Sequence, residues 1–351
     1  MKRIKRNVEK FEVIDLFTAL SREHGYQLHV EEDVDAFMSR ILNALKVSQN
    51  NDTLIHGKRI ETLFKHLAAG LGACRLIKAE DAGETITKIE DEIIPPDYKL
   101  ILNDGKQIFV EVKNCNLPNS KSPFLLRKDY VEKIERYGEL HGIPVYYAIY
   151  YRCMNKWVML PKSAMIELKN KYSTTLSHSM ANNEMSMLGD MMIGTKPELI
   201  FELIADQNKS ISIDEKDNAK FIIGDVKIYC ENVEIDIPEE KNIAFYLIRF
   251  GNWDCSEPVA IMHEGKLHSV QFTFKPDSSE IAEKQGFDFI GDLSSMITSA
   301  FNEQTVYEQK VTSIDTRMEP DVFSASINQE YKGEKLPLWL ISVEPNPEFT
   351  M

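Results

Sequence analysis

The stretch Pro95–Lys113, PPDYKLILNDGKQIFVEVK, gathers residue types that together can act on a phosphate ester. Asp97, Glu111 and Lys113 stand in or beside two apolar runs, Tyr98–Leu102 and Gln107–Lys113, joined by Asn103-Asp104-Gly105. Those three joining residues tolerate the positive φ of a tight turn, so the runs are expected to fold back as a β-hairpin. A three-residue loop sets Asp97 opposite Glu111, and a two-residue Asp-Gly loop sets it opposite Val112. Either register brings two carboxylates within reach of one divalent cation. Glu111 and Lys113, two apart on a strand, share a face, while Val110 and Val112 point into a core. A hard cation held by oxygen ligands binds a scissile phosphate and lowers the pKa of an attacking water. Asp97 and Glu111 supply such oxygens and the Val112 carbonyl could supply another. Lys113 can orient or deprotonate the water, or offset charge in the transition state.

Several elements must hold this hairpin. Upstream, the apolar set Phe11, Val13, Ile14, Leu16, Phe17 and Leu20 predicts one buried helix face over residues 11–24, ended near Gly25. A second helix is expected over Glu31–Val47, its acidic start suiting the positive end of the helix dipole and its stripe formed by Val34, Phe37, Met38, Ile41, Leu42 and Leu45. After the polar break at 49–52, a third helix is expected over Gly57–Leu71, with Ile60, Leu63, Phe64, Leu67 and Leu71 inward. Lys58 and Arg59 on it are candidates to approach phosphate. Cys74–Ile77 and Thr85–Ile89 read as strand material around the turn Glu80-Asp81-Ala82-Gly83. Glu90, Asp91 and Glu92 lie near Asp97 in sequence, but they precede Pro95-Pro96, which sets a bend into the Asp97 strand.

Downstream of a polar loop, a helix is predicted over Leu126–Leu140, with a basic bias from Lys121, Arg127, Lys128, Lys133 and Arg136. The run PVYYAIYY that follows is apolar on both faces, the mark of a strand in a covered sheet, and KWVMLP supplies another strand.

Pro96-Asp97 followed by Glu111-Val112-Lys113 resembles the motif of the PD-(D/E)XK nuclease superfamily, the restriction-endonuclease-like and Holliday-junction-resolvase-like phosphodiesterases. The order helix, strand, hairpin, helix, strand over roughly residues 55–162 resembles the core of that superfamily as well. The resemblance implies an α/β fold, a restriction-endonuclease-like mixed sheet flanked by helices. It implies a metal-dependent DNA endonuclease using Mg²⁺ or Mn²⁺, in a setting of restriction, phage defence or recombination. It also makes Glu61, on the helix before the sheet, a candidate third carboxylate, and it implies that a homodimer could cut two strands. A catalytically silent nucleic-acid-binding or protein-assembly module on the same fold is the alternative, which the intact Asp97, Glu111 and Lys113 argue against.

The charge divides unevenly. The 351 residues carry a net −14, yet residues 1–165 hold 25 Lys+Arg against 23 Asp+Glu, leaving 16 against 32 for residues 166–351. The first part, at +2, can gather basic groups on one face for a phosphate backbone. The second, at −16, favours a protein partner over broad phosphate contact. The expected division is a helical segment 1–54, a nuclease unit 55–165, a linker or mobile loop 166–195 and an acidic β-rich accessory domain 196–351. Residues 170–192 are polar and methionine-rich and read as loop, with His178 solvent-exposed. From 196 onward LIFELI, SISI, KFIIGDVKIY, IAFYLIRF, PVAIMH and KLHSVQFTF read as strands, the last two turned at Glu264-Gly265. A helix is expected near Phe289–Phe301 and a late strand over Pro337–Val343.

Five scattered cysteines without a CxxC pair indicate neither a zinc site nor a disulfide framework, and reduced thiols fit a cytoplasmic location. His263 and His268 lack further ligands at metal-site spacing. The basic start, with Lys2, Arg3, Lys5 and Arg6, lacks the apolar run of a secretory signal, and no apolar run is long enough to span a membrane.

Overall fold

The computed structural model describes residues 1–4, 7–196, 198–213, 219–276, 284–325, 327, 330–346 and 348–349. Lys5 and Arg6 of the basic start lie outside them. Arg3 is held by Asp315 and by the carbonyls of Thr316 and Met318.

The centre of the fold is a five-stranded sheet built from β1 (Cys74–Ala79), β2 (Tyr98–Leu102), β3 (Gln107–Cys115), β5 (Val145–Tyr151) and β6 (Lys156–Pro161), ordered β1-β2-β3-β5-β6. Only β3 and β5 run parallel, as a pair joined by a helical crossover must. That crossover holds β4 (Phe124–Arg127) and α4 (Lys128–His141), so the predicted helix starts two residues late and a short strand precedes it. All seven residues of β5 are buried, as its two-faced apolar run predicts. One face of the sheet packs on α3 (Asp52–Gly70), where Leu63, Phe64 and Leu67 are fully buried against Leu100, Ile108 and Val110. The other face packs on α4 through Phe109, Tyr147, Val131 and Ile134. The chain is therefore α/β, with a mixed sheet flanked by helices and a β-rich region after it.

α3 begins five residues before its expected start because Asn51 caps it, accepting from the Leu54 amide. α1 (Val8–His24) and α2 (Glu31–Gln49) form as predicted, but their apolar stripes are not core. Phe17 and Phe37 pack edge to face at 5.1 Å and are the buried residues of the two helices. Phe11, Val13, Ile14, Leu16, Met38, Leu42 and Leu45 are exposed. α2 also touches α3, but the outer faces of the pair stay exposed, whatever their hydrophobic content.

Residues 85–89 form no strand and are exposed. Residues 170–192 are not loop. Lys171–Thr174 pairs with β4 and with Ile166–Glu167, and α5 (Leu176–Ala181) follows under a Thr175 cap. Met185, Leu188 and Met191 are buried, and the half-buried His178 donates from Nε2 to the Ala164 carbonyl at 2.7 Å.

Beyond residue 198 an antiparallel sheet is built on Leu199–Ala205, flanked by Ile223–Cys230 and Lys266–Lys275; the Val259–His263 hairpin turns at Glu264-Gly265. Leu338–Ile341 pairs with Met192–Thr195, which also pairs with Asp288–Asp292. IAFYLIRF, expected as a strand, is helical within α6 (Pro238–Phe250). Pro238 opens that helix with Glu239 and Glu240 in its first turn, and Ile243, Ala244 and Leu247 turn inward at helical spacing. These start signals outweigh the strand propensity of the run. α7 (Leu293–Thr305) lies against α3 and β6, so one apolar cluster runs from the five-stranded sheet through α7 to α6. Among the described residues no helix is long and apolar enough to cross a membrane.

Candidate metal and phosphate-ester site

The hairpin register is the three-residue alternative. Tyr98 pairs with Val110 and Ile101 with Gln107, and Leu102 closes the turn by donating to the Lys106 carbonyl. Continuing that register one step sets Asp97 opposite Glu111. β2 begins only at Tyr98, so the edge of β3 beyond Val110 has no strand beside it there. The Asp97 side chain fills that place: its Oδ2 accepts the Val112 amide at 2.7 Å. In an extended strand a residue's N–H and C=O point to the same side, so the Val112 carbonyl shares this edge with Asp97.

Asp97 is half-buried, and its surroundings are acidic. Burial first, and then the Glu111 carboxylate, push its carboxyl up to about 8, against the pull of the Val112 amide; Glu61 adds to the rise and Lys113 opposes it. One oxygen each of Glu61, Asp81 and Asp97 lie within 4.8 Å of one another, a spacing that suits a shared cation. Glu61 reaches the cluster from α3, where Lys58 bonds it at 2.5 Å and reaches Asp81 at 3.4 Å. Tyr98 ties the same turn of α3 to the sheet by donating to the Glu61 carbonyl.

Asp81 was not among the residues expected here. β1 pairs antiparallel to β2, with Ala79 opposite Tyr98, and the Glu80 amide donates to the Asp97 carbonyl. The chain leaving β1 therefore delivers Asp81 beside Asp97. The acidic run that is nearer in sequence does not arrive: Glu92 pairs with Lys133 of α4 on the surface.

Glu111 is nearly fully buried, and its Oε1 accepts from both Lys113 Nζ and the Tyr130 hydroxyl at 2.5 Å. Lys113 also donates to Tyr130 at 3.1 Å. Burial would lower the Lys113 pKa, but the Glu111 charge and bonds to Glu111 and Tyr130 raise it well above the usual lysine value, which keeps the ammonium charged. Tyr130 escaped the sequence reading as a site residue. It is the third residue of α4, directly after β4, and its signal is positional: the crossover helix starts over the strand that carries the motif.

Oxygens already dominate this set, with Asp97 Oδ1 and Glu111 Oε2 beyond the bonds just described. Such hard, anionic donors fit Mg²⁺ or Mn²⁺. Other residues singled out in the sequence lie elsewhere. Arg59 turns away from the cluster toward α7. Lys128 pairs with Glu167, and His263 and His268 face each other across a hairpin with ring centroids 6.3 Å apart.

No family model matches the chain, and no curated protein matches it. Among solved structures it is similar to Hjc, a Holliday junction resolvase of the archaeal hyperthermophile Archaeoglobus fulgidus. That similarity has 18% sequence identity and a TM-score of 0.24, over 32% of this chain and 87% of the resolvase.

Proposed function

We propose that this chain is a divalent-cation-dependent nuclease that hydrolyses phosphodiester bonds in DNA. The observation that carries the reading is the β2–β3 register, which sets the half-buried Asp97 beside Glu111 and joins it to Asp81 and Glu61. Asp97, Glu111 and the Val112 carbonyl are the proposed ligands, with Glu61 and Asp81 completing the acidic set. A bound Mg²⁺ or Mn²⁺ supplies Lewis acidity toward the phosphate and lowers the pKa of a bound water. Lys113, kept as an ammonium by Glu111 and Tyr130, offsets negative charge as the phosphorane-like transition state forms. Its role is then electrostatic, and it orients the water without taking the water's proton. Residues 55–165 carry this chemistry in the proposal. Residues 196–351 form an accessory unit whose acidic surface meets a protein partner or a second copy of the chain.

A second reading keeps nucleic-acid binding without cleavage. It is favoured by Lys58, whose ion pairs to Glu61 and Asp81 neutralise two carboxylates from within the chain. Cleavage of supercoiled plasmid with Mg²⁺ or Mn²⁺ separates the two. The nuclease reading expects nicking or linearisation by the wild type and none by Asp97→Ala or Lys113→Ala. DNA binding with no turnover under any metal selects the second reading.

A further inference from the structure

Asn114 follows Lys113 on β3 and so points to the opposite face of the sheet. On that face α3, α7 and the turn after β5 enclose a cavity of about 240 Å³. Its walls carry three basic side chains, His56 and Arg59 from α3 and Arg152 from the turn, with Asn114, Tyr150 and Asn302 between them.

Arg59 is the unusual member. It is only 6% exposed, and among the described residues it has no carboxylate partner. Its Nη1 donates to Asn302 Oδ1 at 2.7 Å and to Thr305 Oγ1 at 3.2 Å, both neutral, while its buried Nε has no partner. Arg152 adds charge of the same sign. Burial, Arg152 and Arg59 together hold the His56 imidazole below its usual pKa, with Asp52 opposing them. The buried Oδ1 of Asn114 is also unpaired, and a rotation of that amide would present its NH₂ instead.

A guanidinium taken out of water without a counter-charge is costly, and neutral acceptors offset only part of that cost. The missing partner is an anion with several oxygens, which the planar arginine fork binds in pairs. The cavity is several times the roughly 30 Å³ of one water, so it admits a phosphate with part of its sugar.

We infer that this cavity is a phosphate-binding pocket, in which Arg59 and Arg152 grip a phosphate of the nucleic-acid strand, either internal or at a 5′ end. The phosphate chemistry stands on the pocket itself; only its assignment to a nucleic acid rests on the nuclease reading.

The test uses the full chain in chelator, so that cleavage plays no part. Thermal unfolding is followed with inorganic phosphate and with chloride at matched ionic strength, for wild type, Arg59→Gln, Arg152→Gln and Lys113→Ala. Arg152 lies on an exposed turn, so its variant is expected to fold even if Arg59→Gln does not. Phosphate is expected to raise the Tm of wild type and Lys113→Ala in a concentration-dependent way, and to lose that effect in both arginine variants. No phosphate-specific rise in wild type, or an equal rise in the folded arginine variants, overturns the pocket. Neither result bears on whether Lys113→Ala abolishes cutting, so the pocket and the nuclease reading fail separately.

Fluorescence anisotropy with one DNA sequence, 5′-phosphorylated or 5′-hydroxyl, then identifies the source. Binding about ten-fold tighter to the phosphorylated strand, lost in Arg152→Gln, assigns the pocket to a 5′ end. Equal affinities, both weakened in Arg152→Gln, assign it to an internal phosphate. Affinities unchanged by Arg152→Gln overturn the nucleic-acid assignment.

Discussion

The Tyr130 hydroxyl and the Glu111 carboxylate lie 2.5 Å apart, with Lys113 Nζ bonded to both. The phenol orients a buried carboxylate whose other oxygen is proposed to face the cation, and burial with the Glu111 charge pushes its own pKa up to about 12. It thus stays a donor throughout the physiological range. Tyr130→Phe leaves the Lys113–Glu111 pair but frees the carboxylate to rotate. Cleavage is expected to slow by roughly ten- to hundred-fold, with a stability loss of about 1–2 kcal/mol. Rates measured across a cation titration check this, and wild-type rates at every concentration would remove Tyr130 from the site.

Asp97 gives the chain a pH dependence of definite sign. Its carboxyl, at about 8 when folded, lies far above the 3.8 of an aspartate in the unfolded chain. The folded state therefore holds a proton that the unfolded chain lacks between those values. The stability this provides is fully present below the unfolded pKa and is lost as pH rises through about 8. Asp97→Asn keeps an oxygen to accept from Val112 and has no proton to lose. In chelator, the Tm of the variant is expected to gain on that of wild type from pH 5 to pH 9. A gap that stays constant would mean that Asp97 is not titrating in this window.

Cation binding should run in the opposite direction. A divalent ion at Asp97 displaces its proton, so the rise in Tm produced by Mn²⁺ is expected to be larger at pH 8.5 than at pH 6. Asp81 is exposed, and its loss removes one anionic oxygen donor without disturbing packing. Asp81→Asn is expected to weaken cation binding by roughly ten-fold while leaving the Tm in chelator unchanged. Titration calorimetry on the two proteins decides the point.

The motif hairpin was legible because its information is local: an Asn-Asp-Gly turn, strict alternation around Glu111 and Lys113, and a proline bend before Asp97. Its register was narrowed to two choices and settled only by the strands around it. Asp81 depends on how β1 pairs with β2, and Tyr130 on where the crossover helix begins, and neither is encoded near the motif. The solvent-facing stripes of α1 and α2 show the same limit from the other side. Apolar periodicity tells which face a helix would bury, while the number of neighbours decides how much of it is buried. In α6 a strand-like run yielded to a proline and two glutamates that start a helix. Residues 170–192, rich in polar side chains, are ordered by a strand pairing with β4 that lies some 45 residues away in sequence.

The tie between His66 and Asp315 yields the last prediction. His66 sits fully buried on α3 between the rings of Phe301 and Phe323, and its Nε2 lies 2.8 Å from Asp315 Oδ1. Lys65 bonds the same carboxylate at 2.6 Å. Burial alone would raise the Asp315 pKa, but hydrogen bonds from His66, Lys65 and the Thr316 amide, with the Lys65 charge, hold it well below the usual carboxylate range. Asp315 thus anchors the C-terminal segment to the helix that carries Glu61. Asp315→Ala leaves the His66 Nε2 in the core without its partner, at an expected loss of about 1–3 kcal/mol at pH 7. Because the folded pKa is depressed, this stability is present above the unfolded value near 4 and is lost as pH falls toward the folded one. Urea midpoints of wild type and Asp315→Ala should therefore lie well apart at pH 7 and converge as the solution is acidified below about pH 4. An equal separation at pH 7 and pH 2.5 would show that the carboxylate's charge contributes nothing, and that Asp315 acts through packing alone.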